Sequence, residues 1–205
     1  MNWLAHLLLS EDDAASRVGA LAADWVKGHA REALDPDVRR GMARHAEIDG
    51  FTDAHPVVRL SRSRIRPPQR RFAGVLVDVF YDHFLALDWD RYCAAPLGDW
   101  TRGVYGQLAA YSGPLPPGMR EGFRRMAEDD WLGSYAAVDG IDATLRRMSR
   151  RLKRPTPLAD AADELVASYE GFREDFRAFF PDLRRHVYGS GIEESPYSVS
   201  EATKT

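Results

Sequence analysis

Sixteen residues from Phe72 to Leu87 (FAGVLVDVFYDHFLAL) are apolar nearly all the way round a helix. Such a segment avoids water on every face, so it has to run through the middle of its protein with other elements packed about it. It is too short for a membrane span, which needs about eighteen apolar residues or more. No stretch of useful length alternates apolar and polar residues as a half-buried strand does; helical spacings dominate instead. The expected architecture is all-α, a single-domain helical bundle over residues 1–188. With 205 residues the chain can build one sizeable core and is short for two.

Punctuation sets the expected helices. The first covers Trp3 to Leu9, and a second follows the Asp12-Asp13 cap and runs to about Lys27, with Gly28 as its stop. Asp35-Pro36 launches a third toward Ile48 or a little beyond, because proline suits the first helical position. His55-Pro56 marks another start, with Thr52 or Asp53 as cap, and Arg66-Pro67-Pro68 breaks that helix before the central one begins. Further helices are expected near Leu97–Tyr111, Gly118–Asp129, Ile141–Leu152 and Leu158–Phe180. Residues 189–205 are polar and aperiodic and are expected to be a disordered tail.

The apolar helix holds Asp78, Asp82 and His83, and the preceding one repeats an ionisable side chain every four residues at His45, Asp49 and Asp53. An interval of four returns a side chain to the same helix face. Burying unpaired carboxylates costs several kcal/mol each, so arginines such as Arg44 or Arg71, hydrogen bonds or a cation must satisfy them. Imidazoles beside carboxylates on two helices favour the cation. His6 and Asp24 are further polar intrusions on apolar early helices, each alone most simply read as a satisfied core group. A mixed imidazole and carboxylate set suits Mn²⁺, Fe²⁺ or Zn²⁺, or Mg²⁺ where imidazoles are fewer. In such a pocket a divalent ion acidifies water and neutralises phosphate oxygens, which points to phosphoester hydrolysis.

Other chemistries lack their residues. There is no phosphate-binding P-loop, no dinucleotide fingerprint and no nucleophile-elbow serine. The single cysteine, Cys93, excludes an intrachain disulfide framework and fits a reducing cytoplasm. The net charge of −3 hides segregation. Arg59, Arg62, Arg64, Arg66, Arg70 and Arg71 form one acid-free block, and five arginines with Lys153 form another over residues 146–154. Outside them 16 of the 28 basic residues face all 31 acids, so the blocks are candidate surfaces for an anionic partner. They lack the interleaved aromatics of a nucleic-acid binder.

Four segments, taken together and in order, form a recognisable pattern: MNWLAHLLLS at the start, GALAADWVKG ending at Gly28, GMARHAEIDGFTDAHP over Gly41–Pro56, and LVDVFYDHFLALDW over Leu76–Trp89. They resemble the acyl carrier protein phosphodiesterase family, also called ACP hydrolyase, an atypical branch of the HD-domain phosphohydrolases. The match is specific over about the first ninety residues and general in character beyond them.

The resemblance implies an HD-domain-like bundle and a bacterial cytoplasmic enzyme. Its divalent metal would be Mn²⁺ by preference, with Mg²⁺ or Fe²⁺ as alternatives. The reaction would be hydrolysis of the phosphodiester joining 4′-phosphopantetheine to a serine of holo-acyl carrier protein. Asp24, His45, Asp49, Asp82 and His83 fall on the family's polar positions, and His6, Asp53 and Asp78 also match its motifs. On this basis Asp24, His45, Asp82 and His83 are the expected metal ligands, with His6 and Asp53 as further ligands or supports. Asp49 or Asp78 would serve as general base. Arg44, Arg59, Arg62, Arg66, Arg70 and Arg71 would meet the acidic carrier protein. Where family members commonly carry arginine after the motif histidine, this chain has Ala46. Two rival functions are a phosphohydrolase acting on a small phosphoester or nucleotide and a non-enzymatic carrier-binding protein with a salt-bridged core.

Overall fold

Helices α1 (Trp3–Leu8), α2 (Ala14–Ala22), α3 (Pro36–Ala54), α4 (Pro56–Arg64) and α5 (Ala73–Leu87) form the first half of the molecule. The second half is α6 (Leu97–Ala110), α7 (Met119–Glu128), α8 (Trp131–Ser134), α9 (Val138–Arg150), α10 (Ala162–Ala167) and α11 (Tyr169–Tyr188). The coordinates are a computed structural model that describes residues 1–26, 28–152, 154 and 156–189, and among these there is no strand. Lys27, Lys153 and the expected tail from residue 190 onward lie outside the described residues. Among the described residues no helix is long and apolar enough to cross a membrane.

The central position expected for the apolar segment is observed. Helix α5 buries Leu76, Val77, Phe80, Tyr81, Phe84 and Leu85 completely, and it packs against α1, α4, α9 and α11. Helix α11 supplies the aromatic half of the core. Phe172 meets Phe80 edge-on at 5.3 Å between ring centroids, and Phe176 meets Tyr81 at 5.6 Å. Such edge-to-face pairs add to the stabilisation that burial of the rings already provides.

Helices α2 and α3 approach most closely, because each carries a glycine where they cross. A Cβ at Gly19 would lie 2.1 Å from the carbonyl oxygen of Val38, and one at Gly41 would lie 2.1 Å from that of Ser16. Only residues without a side chain permit this main-chain contact. One turn after Gly41 comes His45, so the crossing sets the position of that imidazole.

Three sequence-level boundaries are corrected. Helix α2 stops at Ala22, short of Lys27; Asp24 and Trp25 lie in the turn that follows. His55 caps α4, its Nδ1 accepting from the Val57 amide at 3.3 Å, in place of Thr52 or Asp53. The single helix expected over Leu158–Phe180 is divided, the chain leaving helical geometry at Ser168 (φ −133°, ψ 31°). The caps at Asp13 and Asp35 are as expected, accepting from Ser16 and Asp37 amides at 2.8 Å each.

Candidate metal centre

Helices α1 and α3 bring His6, His45 and Asp49 together, with one potential ligand atom from each lying within 4.8 Å of the others. The interval of four between His45 and Asp49 places both on one face of α3, and Asp49 Oδ2 stands 3.0 Å from His45 Nε2. Its other oxygen is 3.1 Å from His6 Nε2. The two imidazoles stack almost parallel, 3.7 Å between centroids.

Both rings have fixed orientations. His45 Nδ1 donates to the carbonyl of Ala20 at 2.7 Å. A carbonyl only accepts, so in the neutral ring the lone pair sits on Nε2 and points at the Asp49 carboxylate. Two electron-rich atoms 3.0 Å apart need a proton or a metal cation between them. His6 Nε2 lies 2.9 Å from the carbonyl of Met1, while its Nδ1 is buried with no hydrogen-bond partner. An unpartnered nitrogen in a buried ring is costly unless it has a use.

The electrostatics repeat the same demand. Burial drives the His6 pKa down to about 4, with the neighbouring positive groups adding to the effect. For His45 burial works the other way from Asp49 and Asp24, and the carboxylates win, raising its pKa. Two stacked imidazoles do not both carry charge at this distance, so one neutral and one cationic ring is the consistent state. Burial opposes ionisation of Asp49 too, yet hydrogen bonds from His45 and His6 hold its pKa well below the usual carboxylate range. The α-amino group of Met1 sits 3.3 Å from Asp49 and 3.1 Å from Asp78. A positive group between carboxylates is thus already part of the arrangement. This donor set, two imidazoles and a carboxylate with further carboxylates at its edge, fits a divalent cation.

Asp24 stands at the opening. Its Oδ1 is 3.8 Å from His45 Nε2, and its Oδ2 accepts from the indole of Trp3 at 2.9 Å. Sequence reading did not single out Trp3. The available signal was an indole N–H in an apolar first helix, which needs an acceptor when buried.

Four expected residues have other surroundings. Asp82 is fully buried and accepts from the Leu4 and Ala5 amides at 2.7 and 3.3 Å. Helix α1 has no side-chain cap of its own, so Asp82 satisfies its first free amides from across the core. Burial raises the Asp82 pKa to about 7 against those hydrogen bonds. His83 points elsewhere, Nδ1 donating to the Tyr135 carbonyl at 2.7 Å and Nε2 meeting the Tyr169 hydroxyl at 2.8 Å. Asp53 pairs with Arg62 at the surface, 2.5 Å away. Asp78 lies at the edge of the group, joined to it through the Met1 amine.

The arginines expected to meet a carrier are mostly engaged within the fold. Arg44 pairs with Glu47 and Glu11, and Arg66 with Glu164 at 3.0 Å. Arg59 donates to the Ala54 carbonyl, Arg70 to those of Ser63 and Ile65, and Arg71 lies over the ring of Phe72. Neither Arg44 nor Arg71 neutralises Asp78 or Asp82.

Residues 1–183 match the family model described as acyl carrier protein phosphodiesterase. The chain belongs to that family. The match carries the resemblance well past the first ninety residues, through α9 and into α11. The chain is 33% identical to the acyl carrier protein phosphodiesterase of Enterobacter sp. (strain 638), over 89% of this chain and 95% of that one. It is 34% identical to proteins of the same name from Escherichia coli O45:K1 (strain S88 / ExPEC) and Salmonella agona (strain SL483), with the same coverage. No solved structure matches it. Among the described residues of this family member, His6, His45 and Asp49 form a group that could hold a metal.

Proposed function

We propose that the protein is a metal-dependent acyl carrier protein phosphodiesterase, hydrolysing the bond between 4′-phosphopantetheine and the carrier serine. The observation that supports it is the buried His6–His45–Asp49 group in a chain matched by the family model over residues 1–183. Mn²⁺ is the preferred ion by the family resemblance; a mixed imidazole and carboxylate donor set also suits Fe²⁺ or Zn²⁺. Bound there, a divalent cation supplies charge neutralisation for the phosphoryl oxygens and acidifies water. His6, His45 and Asp49 are its holders. Asp49 is better placed as ligand than as base, since both its oxygens already meet imidazole nitrogens. Asp24 keeps Oδ1 toward His45 and the opening, where it orients the attacking water and accepts its proton. Ala20 holds the His45 tautomer, and Asp82 anchors the start of α1 and so the position of His6.

Of the two basic blocks, the second, residues 146–154, lies beside the candidate centre, with Arg151 5.9 Å from the Trp3 ring, and there offers an acidic carrier protein a docking surface. Arg150, Arg151 and Arg154 are exposed and have no carboxylate partner among the described residues. The test follows formation of apo-carrier from holo-carrier with Mn²⁺, after chelation, and in His45→Ala and Asp49→Ala. Chelation should abolish turnover, and each substitution should lower it about 100-fold or more. Unchanged turnover in both variants would remove the site.

A further inference from the structure

Beside Asp24 the surface opens into a cleft of about 500 Å³, walled by Trp3, Asp24, Trp25, Met148 and Arg151. That volume lies within the range of small-molecule sites, which are largely apolar with a few fixed polar groups. The walls follow that division. Two indoles and a thioether make the apolar surface, a guanidinium stands on one side, and the carboxylate stands where the cleft meets His45.

The apolar walls are held in place. Trp3 stacks on Trp131 at 6.0 Å; the guanidinium of Arg147 lies over the Trp131 ring at 3.9 Å, and that of Arg151 lies 5.9 Å from Trp3. Trp25 is 37% exposed, unusual for so large an apolar ring, yet its position is set by a glycine. A Cβ added at Gly122 of α7 would lie 3.0 Å from Trp25 Cη2. The chain therefore keeps an indole on the surface, braced from behind, next to the candidate metal centre.

Building on the phosphodiesterase function, we propose that this cleft receives the arm of the phosphopantetheine group. The arm is a narrow chain of a dimethyl-substituted carbon, two amides and a terminal thiol, with its phosphodiester end turned to Asp24 and the imidazoles. Indole faces suit the methyl groups and the flat amides. A simple hydrocarbon chain would leave Asp24 and Arg151 facing apolar matter, at a desolvation cost. A chain of mixed polarity, with amides to meet the polar groups and methyl groups to meet the indoles, carries no such cost.

The test separates binding of the arm from hydrolysis. Metal-free protein is titrated with pantetheine, then with apo- and holo-carrier, following tryptophan fluorescence and heat. Pantetheine should bind, and holo-carrier should bind about tenfold tighter than apo-carrier, the effect of sheltering two methyl groups. Trp25→Ala and Met148→Ala should bring the holo-to-apo ratio to within about twofold; because both side chains also pack against the fold, each variant is titrated below its own melting transition, with an unchanged far-UV circular dichroism spectrum as the check that it is folded. Gly122→Ala, which pushes on the Trp25 indole from outside the cleft, should lower the ratio in part. Equal binding of apo- and holo-carrier by wild type, or an unchanged ratio in the variants, overturns the cleft assignment. If Mn²⁺-loaded wild type still hydrolyses holo-carrier in that case, the phosphodiesterase function stands without it. Pantetheine binding that Trp25→Ala removes, in a protein that hydrolyses no carrier, supports the cleft and overturns the function.

Discussion

Residues 59–71 and 146–154 each carry six basic side chains and no acid, yet the fold treats them differently. Much of the first block is used up inside the molecule. Helix α4 faces α11, and Arg64 reaches Asp175 at 2.9 Å, where Ser61 also donates to the same carboxylate. Arg66 closes on Glu164 of α10, and Arg62 on Asp53. The second block runs off the end of α9. There Arg146 is tied to Asp142, Arg147 lies over Trp131 and Arg151 lies by Trp3, while Arg150 and Arg154 are exposed. The difference teaches that a charge run in sequence says nothing of availability. What decides it is whether the fold brings acids from distant helices opposite.

The sharpest way to break the contrast is to remove one arginine from each block and measure unfolding in urea. Arg64→Ala leaves Asp175, which is 6% exposed, without its cation. Uncompensated buried charge of this kind costs about 3 kcal/mol. Arg150→Ala should change stability by less than about 0.5 kcal/mol. Equal losses would mean that the blocks do not differ.

A smaller effect sharpens the other side. Arg150→Ala with Arg154→Ala should raise KM for holo-carrier about tenfold at low salt and lose that effect near 0.5 M salt, as steering by exposed charge does. Arg59→Ala with Arg70→Ala is the matched control, since those arginines hydrogen-bond carbonyls and no acid is removed from a partner. It should leave KM nearly unchanged.

The smallest effect concerns pH. Asp88 is clamped by Arg177 at 2.6 and 2.8 Å, with Arg91 and Arg173 nearby, and these arginines outweigh burial to lower its pKa. The folded pKa lies below the unfolded value of about 3.9, so the unfolded state takes up the proton first. The stabilisation is complete above about pH 4 and is lost as pH falls further toward the folded value. Asp88→Asn should flatten the decline in urea midpoint between about pH 5 and 3. Arg150→Ala should leave that slope as it is, having no carboxylate to protect.

The all-helical class and the central helix were legible because a segment apolar on every face has one place to go. The pairing of His45 with Asp49 was legible for the same kind of reason, an interval of four on a single helix. Asp82 and His83 were harder. Neighbours on a helix project about 100° apart, so one turned toward the start of α1 and the other toward Tyr135 and Tyr169. Periodicity says that two residues differ in direction and cannot say which direction leads to the centre. Asp53 continues the same spacing, but each step of four turns the side chain about 40° further round the helix, so Asp53 faces solvent while Thr52 beside it stays buried. His6 looked ordinary because its partners come from another helix. The role of Asp82 as a remote cap required knowing that α1 begins against α5, a fact of tertiary packing alone.

The bare crossing of α2 over α3 makes the centre dependent on two residues that have no chemistry at all. Any side chain at Gly19 or Gly41 would wedge the pair apart and carry one imidazole away from its mate. Substitutions meant to probe the centre should therefore leave that seam untouched and work from the rim at Asp24, where a change of side chain need not disturb the scaffold beneath.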